Sequence, residues 1–172
     1  MKLRVLVLTM VLAGAAYAGP DLERGLAPNF SARAVDGSRV DLAKVLAKGP
    51  VVLDFWATWC RPCEHSLPAA QALHVRLRER GVSVIGVSID GPRNWARVRP
   101  FSAKLGLTFP IVIDEDGALA RRFQITGVPT TVLIAADGRV ARVHSGFVPG
   151  EDRALAAAAE ALLRPAPGDT AR

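Results

Sequence analysis

Hydrophobic and polar positions along the chain predict an alternation of strands and helices. Residues 51–56, Val-Val-Leu-Asp-Phe-Trp, are almost continuously apolar, which is typical of a central strand buried on both faces. A helix is expected over about residues 60–80, where Gly81 ends it and Pro68 is expected to kink it. Its apolar stripe consists of Leu67, Ala70, Leu73 and Leu77.

The remaining elements follow the same two periodicities. Extended segments are expected over residues 82–89, 110–114, 130–135 and 139–145, and helical ones over 41–48, 90–105, 118–123 and about 155–162. Asp137-Gly138 is a strong hairpin signal between the last two strands, and Pro100 offers a break in the second long helix. Without the two short helical segments over 41–48 and 118–123, the order β-α-β-α-β-β-α predicts an α/β fold with a mixed central sheet flanked by helices.

The first 18 residues are expected to be a signal peptide. Lys2 and Arg4 make a basic start, residues 5–16 are apolar, and Ala16-Tyr17-Ala18 supplies small residues for a cut after Ala18. An uncleaved membrane anchor is the alternative, although the apolar stretch is short for a bilayer span. The expected organisation is residues 1–18 as signal peptide, 19–165 as one domain and 166–172 as a disordered tail.

Composition narrows the class of protein. The 172 residues are 50% hydrophobic, which suits one folded domain with a real core. The net charge of +6 is spread along the chain and is not interleaved with aromatic residues. A nucleic-acid surface is therefore not expected.

The chemistry is expected at Trp59-Cys60-Arg61-Pro62-Cys63, which holds the only two cysteines. Cys60 falls at the predicted start of the helix, where free backbone N–H groups and the helix dipole favour an anion, and Arg61 adds a cation. The pKa of Cys60 is therefore expected to fall from about 8.5 toward 7 or below. Cys63, one turn further in and more buried, is expected to resolve the mixed disulfide that Cys60 forms. Pro62 stiffens this turn without loss of a helical hydrogen bond.

Three other uses of the cysteine pair are less consistent with the sequence. A structural disulfide across so few residues constrains the unfolded chain weakly. A zinc site would need further ligands, and His65, His74 and His144 show no ligand spacing. Covalent haem attachment needs a histidine directly after the second cysteine, where this chain has Glu64.

Residues 51–68, VVLDFWATWCRPCEHSLP, resemble the active-site segment of the thioredoxin superfamily, and more specifically its TlpA/ResA-like branch of exported thiol–disulfide oxidoreductases. Residues 27–42 resemble the N-terminal extension of that branch. Residues 109–140 resemble its segment from an inserted helix through a proline loop. The resemblance implies a thioredoxin-like fold with both of these additions.

The resemblance also implies site residues. Cys60 and Cys63 match the redox pair, and Pro129 matches a cis-proline beside it. Val128 offers backbone groups for an extended substrate strand. Trp59, Arg61 and Pro62, which surround Cys60 in the sequence, are assigned to substrate contact as well.

Asp54 lies where thioredoxins carry a buried acid that takes a proton from the second cysteine. Burial should raise the pKa of Asp54 and let it act as a base toward Cys63, unless it is hydrogen-bonded only for structural reasons. Many TlpA/ResA-like proteins also carry an acid three residues after the second cysteine. This chain has Ser66 there, and Glu64, the nearest acid, should point away on the helix.

The sequence therefore indicates an exported, periplasmic thiol–disulfide oxidoreductase that reduces protein disulfides. The resemblance implies apocytochrome c as one substrate class and a membrane electron donor. No cofactor or metal is expected, and nothing demands more than a monomer.

A thiol oxidase is the main alternative. A peroxiredoxin-like peroxidase lacks its Thr and Pro, since Ala57 and Leu53 stand there, and a Sco-like copper protein would space its cysteines more widely.

Overall fold

A computed structural model describes residue 22, residues 25–150 and residues 152–163 of the chain. The expected signal peptide and tail lie outside the described residues. The strands are β1 (Ser31–Arg33), β2 (Arg39–Asp41), β3 (Val51–Trp56), β4 (Ser83–Ser88), β5 (Ile111–Ile113), β6 (Thr130–Ile134) and β7 (Val140–Ser145). The helices are α1 (Leu42–Leu46), α2 (Cys63–Leu77), α3 (Val98–Lys104), α4 (Ala118–Arg122) and α5 (Asp152–Ala161).

Five strands form the central sheet in the order β5-β4-β3-β6-β7. Strand β3 lies in the middle, parallel to β4 and antiparallel to β6, so the sheet is mixed as predicted. Strands β1 and β2 form a separate antiparallel pair. Isolated bridges pair Leu26 with Arg139 and Ala34 with Val112 of β5. This arrangement is the expected thioredoxin-like fold.

The alternation of side chains along β3 divides the core into two layers. Val52 and Trp56 pack on the face covered by α2 and α5, and Val51, Leu53 and Phe55 pack on the opposite face. Because successive side chains of a strand point to opposite faces, Asp54 lies on the same face as Val52 and Trp56. The parity of one strand thus directs its single carboxylate toward the helix that begins at Cys63.

Helix α2 differs from the prediction at both ends. It begins at Cys63 with Pro62 as its N-cap, so Cys60 precedes the helix instead of starting it. After Leu77 the chain continues as a 3₁₀ turn, Arg78–Arg80, which ends at Gly81 as expected. The φ of +96° at Gly81 lies in the left-handed region, which glycine adopts without steric cost.

The predicted helix over residues 90–105 is wrong in its first half. Residues 91–94 form turns, Trp95–Arg97 form a 3₁₀ turn, and α3 begins only at Val98. The reason is tertiary, because the Asp90 side chain bonds Thr58 and Ser88 instead of capping a helix. Pro100 does not split α3, since it lies in the first turn, where its missing N–H is not needed.

Among the described residues, the helices are all too short or too polar to cross a lipid bilayer.

Candidate active site

The redox pair lies at the carboxyl end of β3. Strand β3 ends at the buried Trp56, and a turn closed by the Cys60 N–H donating to the Ala57 carbonyl at 3.1 Å brings the chain to the helix. Cys60 and Cys63 form a disulfide, with their Cα atoms 5.3 Å apart. The two cysteines that the sequence singled out therefore lie together on one turn, in the oxidised state.

The two sulfurs of the pair have different environments. Cys63 is fully buried, and Cys60 keeps 5% of its surface exposed. The Cys60 sulfur accepts a hydrogen bond from the Cys63 backbone N–H at 3.2 Å, and this N–H is the first of helix α2. The same N–H also donates to the Cys60 carbonyl at 3.1 Å, so the helix shares its first donor between this carbonyl and the sulfur. The positive end of the helix dipole favours an anion at Cys60 although the helix starts three residues later.

Asp54 is buried on the α2 face of the sheet. Its Oδ1 accepts a hydrogen bond from the Thr131 hydroxyl at 3.3 Å, whereas its Oδ2 has no hydrogen-bond partner among the described residues. Burial raises the pKa of Asp54 from its ordinary value of 3.8 to about 7, and the bond from Thr131 opposes that rise. The carboxyl group can therefore exchange a proton near neutral pH.

A cavity of about 40 Å³ lies between Asp54 and helix α2. Its polar lining comes from Asp54, Ser66, Thr131 and His144, and it has room for about two or three water molecules. The Ser66 hydroxyl donates to the Cys63 carbonyl at 3.4 Å, so the cavity reaches the turn that carries the second cysteine. Glu64 is exposed and does not line this cavity.

The proline loop lies beside the same end of β3. The Val128–Pro129 peptide bond is cis, as the resemblance implies. Thr130, the next residue, pairs with Phe55 across β3 and β6, which places Pro129 next to the strand end from which the cysteine turn leaves. The Thr130 hydroxyl fixes this loop by donating to the Gly127 carbonyl at 2.8 Å. Val128 is half-buried and packs against the core.

The surface around Cys60 is open. Trp59 is 58% exposed, and Arg61 and Pro62 are also exposed. Arg61 and Pro62 line a shallow groove of about 430 Å³ together with His65, Phe147 and Pro149. The rings of His65 and Phe147 stack with their centroids 6.1 Å apart. This apolar groove lies directly beside the redox pair, and the contribution of Phe147 to it could not be predicted from the sequence.

The three histidines lie in different places. His65 stacks on Phe147, and His144 lines the cavity beside Asp54. His74 packs edge-on against Phe109, and its burial, together with the charge of Arg78, lowers its pKa. Across the part of the chain that the structure describes, no three of the His, Cys, Asp and Glu side chains come close enough to hold a metal ion.

Asp90 is a site residue that the sequence reasoning missed. It was expected to start a helix, but its carboxylate is fully buried and binds Thr58, which lies inside the turn between β3 and the cysteines. The local sequence offered no signal for this bond, because Thr58 and Asp90 are 32 residues apart in the chain.

A mixed sheet with a cysteine pair between its central strand and the following helix, next to a cis-proline, defines the class as thioredoxin-like disulfide exchange proteins. Residues 25–143 match the family model described as AhpC/TSA family. The thiol–disulfide oxidoreductase ResA of Geobacillus thermodenitrificans is 35% identical over 126 residues, 73% of this chain and 71% of that protein. ResA of Halalkalibacterium halodurans is 34% identical over 153 residues, 85% of each chain.

A solved structure from Chlorobium tepidum, provisionally assigned as the thiol:disulfide interchange protein DsbE, has a TM-score of 0.76 and 30% identity. The match covers 83% of this chain and 98% of that one. The chain thus belongs to the AhpC/TSA family of the thioredoxin superfamily. It is a thiol–disulfide oxidoreductase.

Proposed function

We propose that this protein is an exported reductant that opens disulfides in other proteins and acts in the periplasm. The observation that carries the proposed exchange chemistry, with Cys60 as the attacking sulfur, is the asymmetry of the pair: Cys60 reaches the surface and its sulfur accepts a hydrogen bond from the first N–H of α2, whereas Cys63 is enclosed. Export to the periplasm is supported by the signal-peptide pattern of residues 1–18 and by the similarity to ResA and DsbE-like proteins. An exported dithiol needs a source of electrons, and a membrane donor would supply them.

The reaction begins with the reduced pair. The Cys60 thiolate attacks one sulfur of a substrate disulfide, so that a mixed disulfide forms, the substrate bond breaks, and the released sulfur leaves as a thiolate that takes up a proton. Cys63 then loses its proton, attacks the Cys60 sulfur and releases the second substrate sulfur. The pair thereby loses two electrons and two protons, and the substrate gains them. A dithiol donor reverses this change in the pair.

Asp54 is the proposed acceptor of the Cys63 proton. Its unpartnered Oδ2 and its raised pKa of about 7 suit a group that takes up and returns a proton at neutral pH. The cavity that joins Asp54 to Ser66, one turn beyond Cys63, offers a path by which water could carry this proton. Ser66 itself is no acid, so Asp54 performs this role without the second carboxylate that many relatives carry.

Substrate contact is proposed for the exposed residues around the pair. Trp59, Arg61 and Pro62 would flank the substrate cysteine, and the backbone of Val128 would pair with an extended segment beside Pro129. Apocytochrome c, whose cysteines must be reduced before haem attachment, is the proposed substrate class. A monomer suffices for this chemistry, because one chain supplies the whole site.

Trapping tests the proposal. The Cys63→Ala variant should retain substrates as mixed disulfides on Cys60 when it is expressed in the periplasm, and these should separate on treatment with dithiothreitol. The matched Cys60→Ala variant should retain none. A reductant should also have a potential nearer to thioredoxin, at about −270 mV, than to the oxidant DsbA, at about −120 mV. A value near the latter would support a thiol oxidase instead.

A peroxiredoxin-like peroxidase is the second candidate, because the matching family model is the AhpC/TSA family. The residues that a peroxiredoxin places before its reactive cysteine are replaced here by Ala57 and by Leu53, which is buried in β3. Mixing the reduced protein with hydrogen peroxide decides between the two. Rapid stoichiometric oxidation would favour the peroxidase, and slow oxidation with rapid reduction of a protein disulfide would favour the reductant.

A further inference from the structure

Asp90 is a fully buried carboxylate that the exchange reaction described above does not use. It follows β4, and its two carboxylate oxygens accept three hydrogen bonds, one from a backbone N–H and two from hydroxyl groups. Its Oδ2 accepts from the Thr58 backbone N–H at 2.9 Å and from the Ser88 hydroxyl at 2.8 Å, and its Oδ1 accepts from the Thr58 hydroxyl at 2.6 Å. Since burying a carboxylate is costly unless it is hydrogen-bonded, this set of bonds fixes where Thr58 lies.

Thr58 lies inside the turn that delivers the first cysteine. The Cys60 N–H bonds the Ala57 carbonyl, so Thr58 and Trp59 are the two central residues of that turn. The Cys60 sulfur at the end of the turn accepts from the first N–H of α2. A continuous series of contacts therefore runs from Asp90 through Thr58 and the turn to the sulfur and the helix.

The anchor for this series is the centre of the sheet. Ser88 is the last residue of β4 and pairs with Trp56 at the end of β3. The Ile89 N–H bonds the Trp56 carbonyl at 2.9 Å, and the Asp114 N–H bonds the Ser88 carbonyl at 2.7 Å. The segment that carries Asp90 is thus bonded on both sides, whereas Trp59 at the outer side of the turn is 58% exposed. The bonds from Thr58 to Asp90 therefore link the turn to a segment that is itself held by the sheet.

We propose that Asp90 is a positioning residue which, through Thr58, holds the Cys60 sulfur against the amino end of α2 and so favours its thiolate in the reduced enzyme. This inference rests on the proposed function, because it requires Cys60 to be the attacking sulfur. Charge alone would act in the opposite direction, since a nearby carboxylate opposes the formation of a second negative charge.

The test measures how readily Cys60 ionises. In a Cys63→Ser background, the rate of alkylation by iodoacetamide is followed from pH 5 to pH 10, which titrates the single remaining thiol. Thr58→Val removes the hydroxyl at nearly constant shape. We expect it to move the midpoint to higher pH and to slow alkylation at pH 7 by about fivefold, the factor that one hydrogen bond is commonly worth. Thr58→Ser, which keeps the hydroxyl, should restore most of the rate.

Asp90→Asn separates position from charge. If Asp90 acts by positioning, the midpoint of Cys60 alkylation should move to higher pH in this variant. If it acts only through its charge, the midpoint should move to lower pH, so the sign of the shift distinguishes the two effects. If Asp90→Asn does not fold, as judged by circular dichroism, the Thr58 pair decides by itself. Should Thr58→Val also fail to fold, Ser88→Ala takes its place and is expected to give a smaller shift in the same direction.

The outcomes distinguish the inference from the function on which it rests. If the parent Cys63→Ser protein already shows an ordinary midpoint near 8.5, the proposed role of Cys60 fails. If the parent midpoint is low and Thr58→Val leaves it unchanged, the function stands and the inference is overturned. The same holds if Thr58→Ser shifts the midpoint as far as Thr58→Val does, because the hydroxyl is then irrelevant.

Discussion

Thr131 and Asp54 face each other across strands β6 and β3, and the Thr131 hydroxyl donates to Oδ1 of Asp54 at 3.3 Å. Burial raises the pKa of Asp54 to about 7, and this single bond from Thr131 works against the rise. A cross-strand pair therefore sets the pH range in which the buried carboxyl group can exchange a proton.

Asp54 should make the folded state less stable as pH rises. Its pKa is 3.8 in ordinary surroundings and about 7 in the fold, so the folded state binds the proton more tightly. The contribution of Asp54 to the unfolding free energy should therefore be most favourable below pH 4. It should fall between about pH 4 and pH 7, by an amount on the order of 4 kcal/mol.

Urea unfolding of the oxidised protein checks this dependence. Asp54→Asn should be the more stable protein at pH 8 and should lose the descending part of the pH curve. Glu64→Gln, which removes a carboxylate from the exposed side of α2, is the matched control and should follow the wild type. Parallel curves for wild type and Asp54→Asn would contradict the assignment.

Thr131→Val should raise the pKa of Asp54 further, because it removes the hydrogen bond that lowers it. Less Asp54 is then ionised at pH 7, and the release of substrate by Cys63 should slow. The measurement is the rate of mixed-disulfide resolution from pH 5 to pH 9, whose midpoint should move upward. Thr131→Ser keeps the hydroxyl and should retain the wild-type midpoint, and equal profiles for all three proteins would exclude Asp54 as the proton acceptor.

Ser66→Glu should place a second carboxylate in the cavity beside Asp54. Two close carboxylates cannot both ionise easily, so the pair should titrate in two separated steps and the rate profile should broaden. Ser66→Gln has nearly the same size without the charge and should leave a single step. A single step in both variants would show that the two side chains do not interact.

Phe147→Ala should weaken the binding of protein substrates, since Phe147 lines the groove beside Arg61 and Pro62. We expect kcat/KM for a protein disulfide to fall severalfold, mainly through KM, while the reaction with dithiothreitol stays unchanged. Val75→Ala is the control, because Val75 is similarly apolar and 54% exposed on α2 but does not line this groove. Equal losses for both variants would indicate a general effect of surface hydrophobicity.

Gly86→Ala should destabilise the fold by about 1–3 kcal/mol through overpacking. Gly86 lies in β4, and a Cβ there would lie 3.0 Å from the rings of both Phe109 and Trp56, the last residue of β3. Gly127→Ala, where a Cβ meets nothing within 4 Å, should be nearly neutral. The midpoints of urea unfolding compare the two, and an unchanged midpoint for Gly86→Ala would mean that the two rings can move aside.

Much of the fold could be predicted because its signals are local. The apolar run of β3, the alternation of β4, the hairpin at Asp137-Gly138 and the end of α2 at Gly81 each depend on neighbouring residues, and the structure has them within a residue or two. The start of the second long helix could not be predicted in this way. Asp90 is a good helix cap in isolation, but its partner Thr58 is far away in the sequence.

The sequence by itself determined the reactive pair, because the only two cysteines are separated by two residues where an apolar strand gives way to a helix, and there both can lie on one turn. It also determined the side of the sheet on which Asp54 falls, since that follows from strand parity. Only the tertiary structure decided that Ser66 and His144 meet Asp54 around one cavity, that Phe147 stacks on His65, and that Asp90 holds Thr58. These contacts join segments that are distant in the chain, and packing, unlike spacing, is a property of the whole fold.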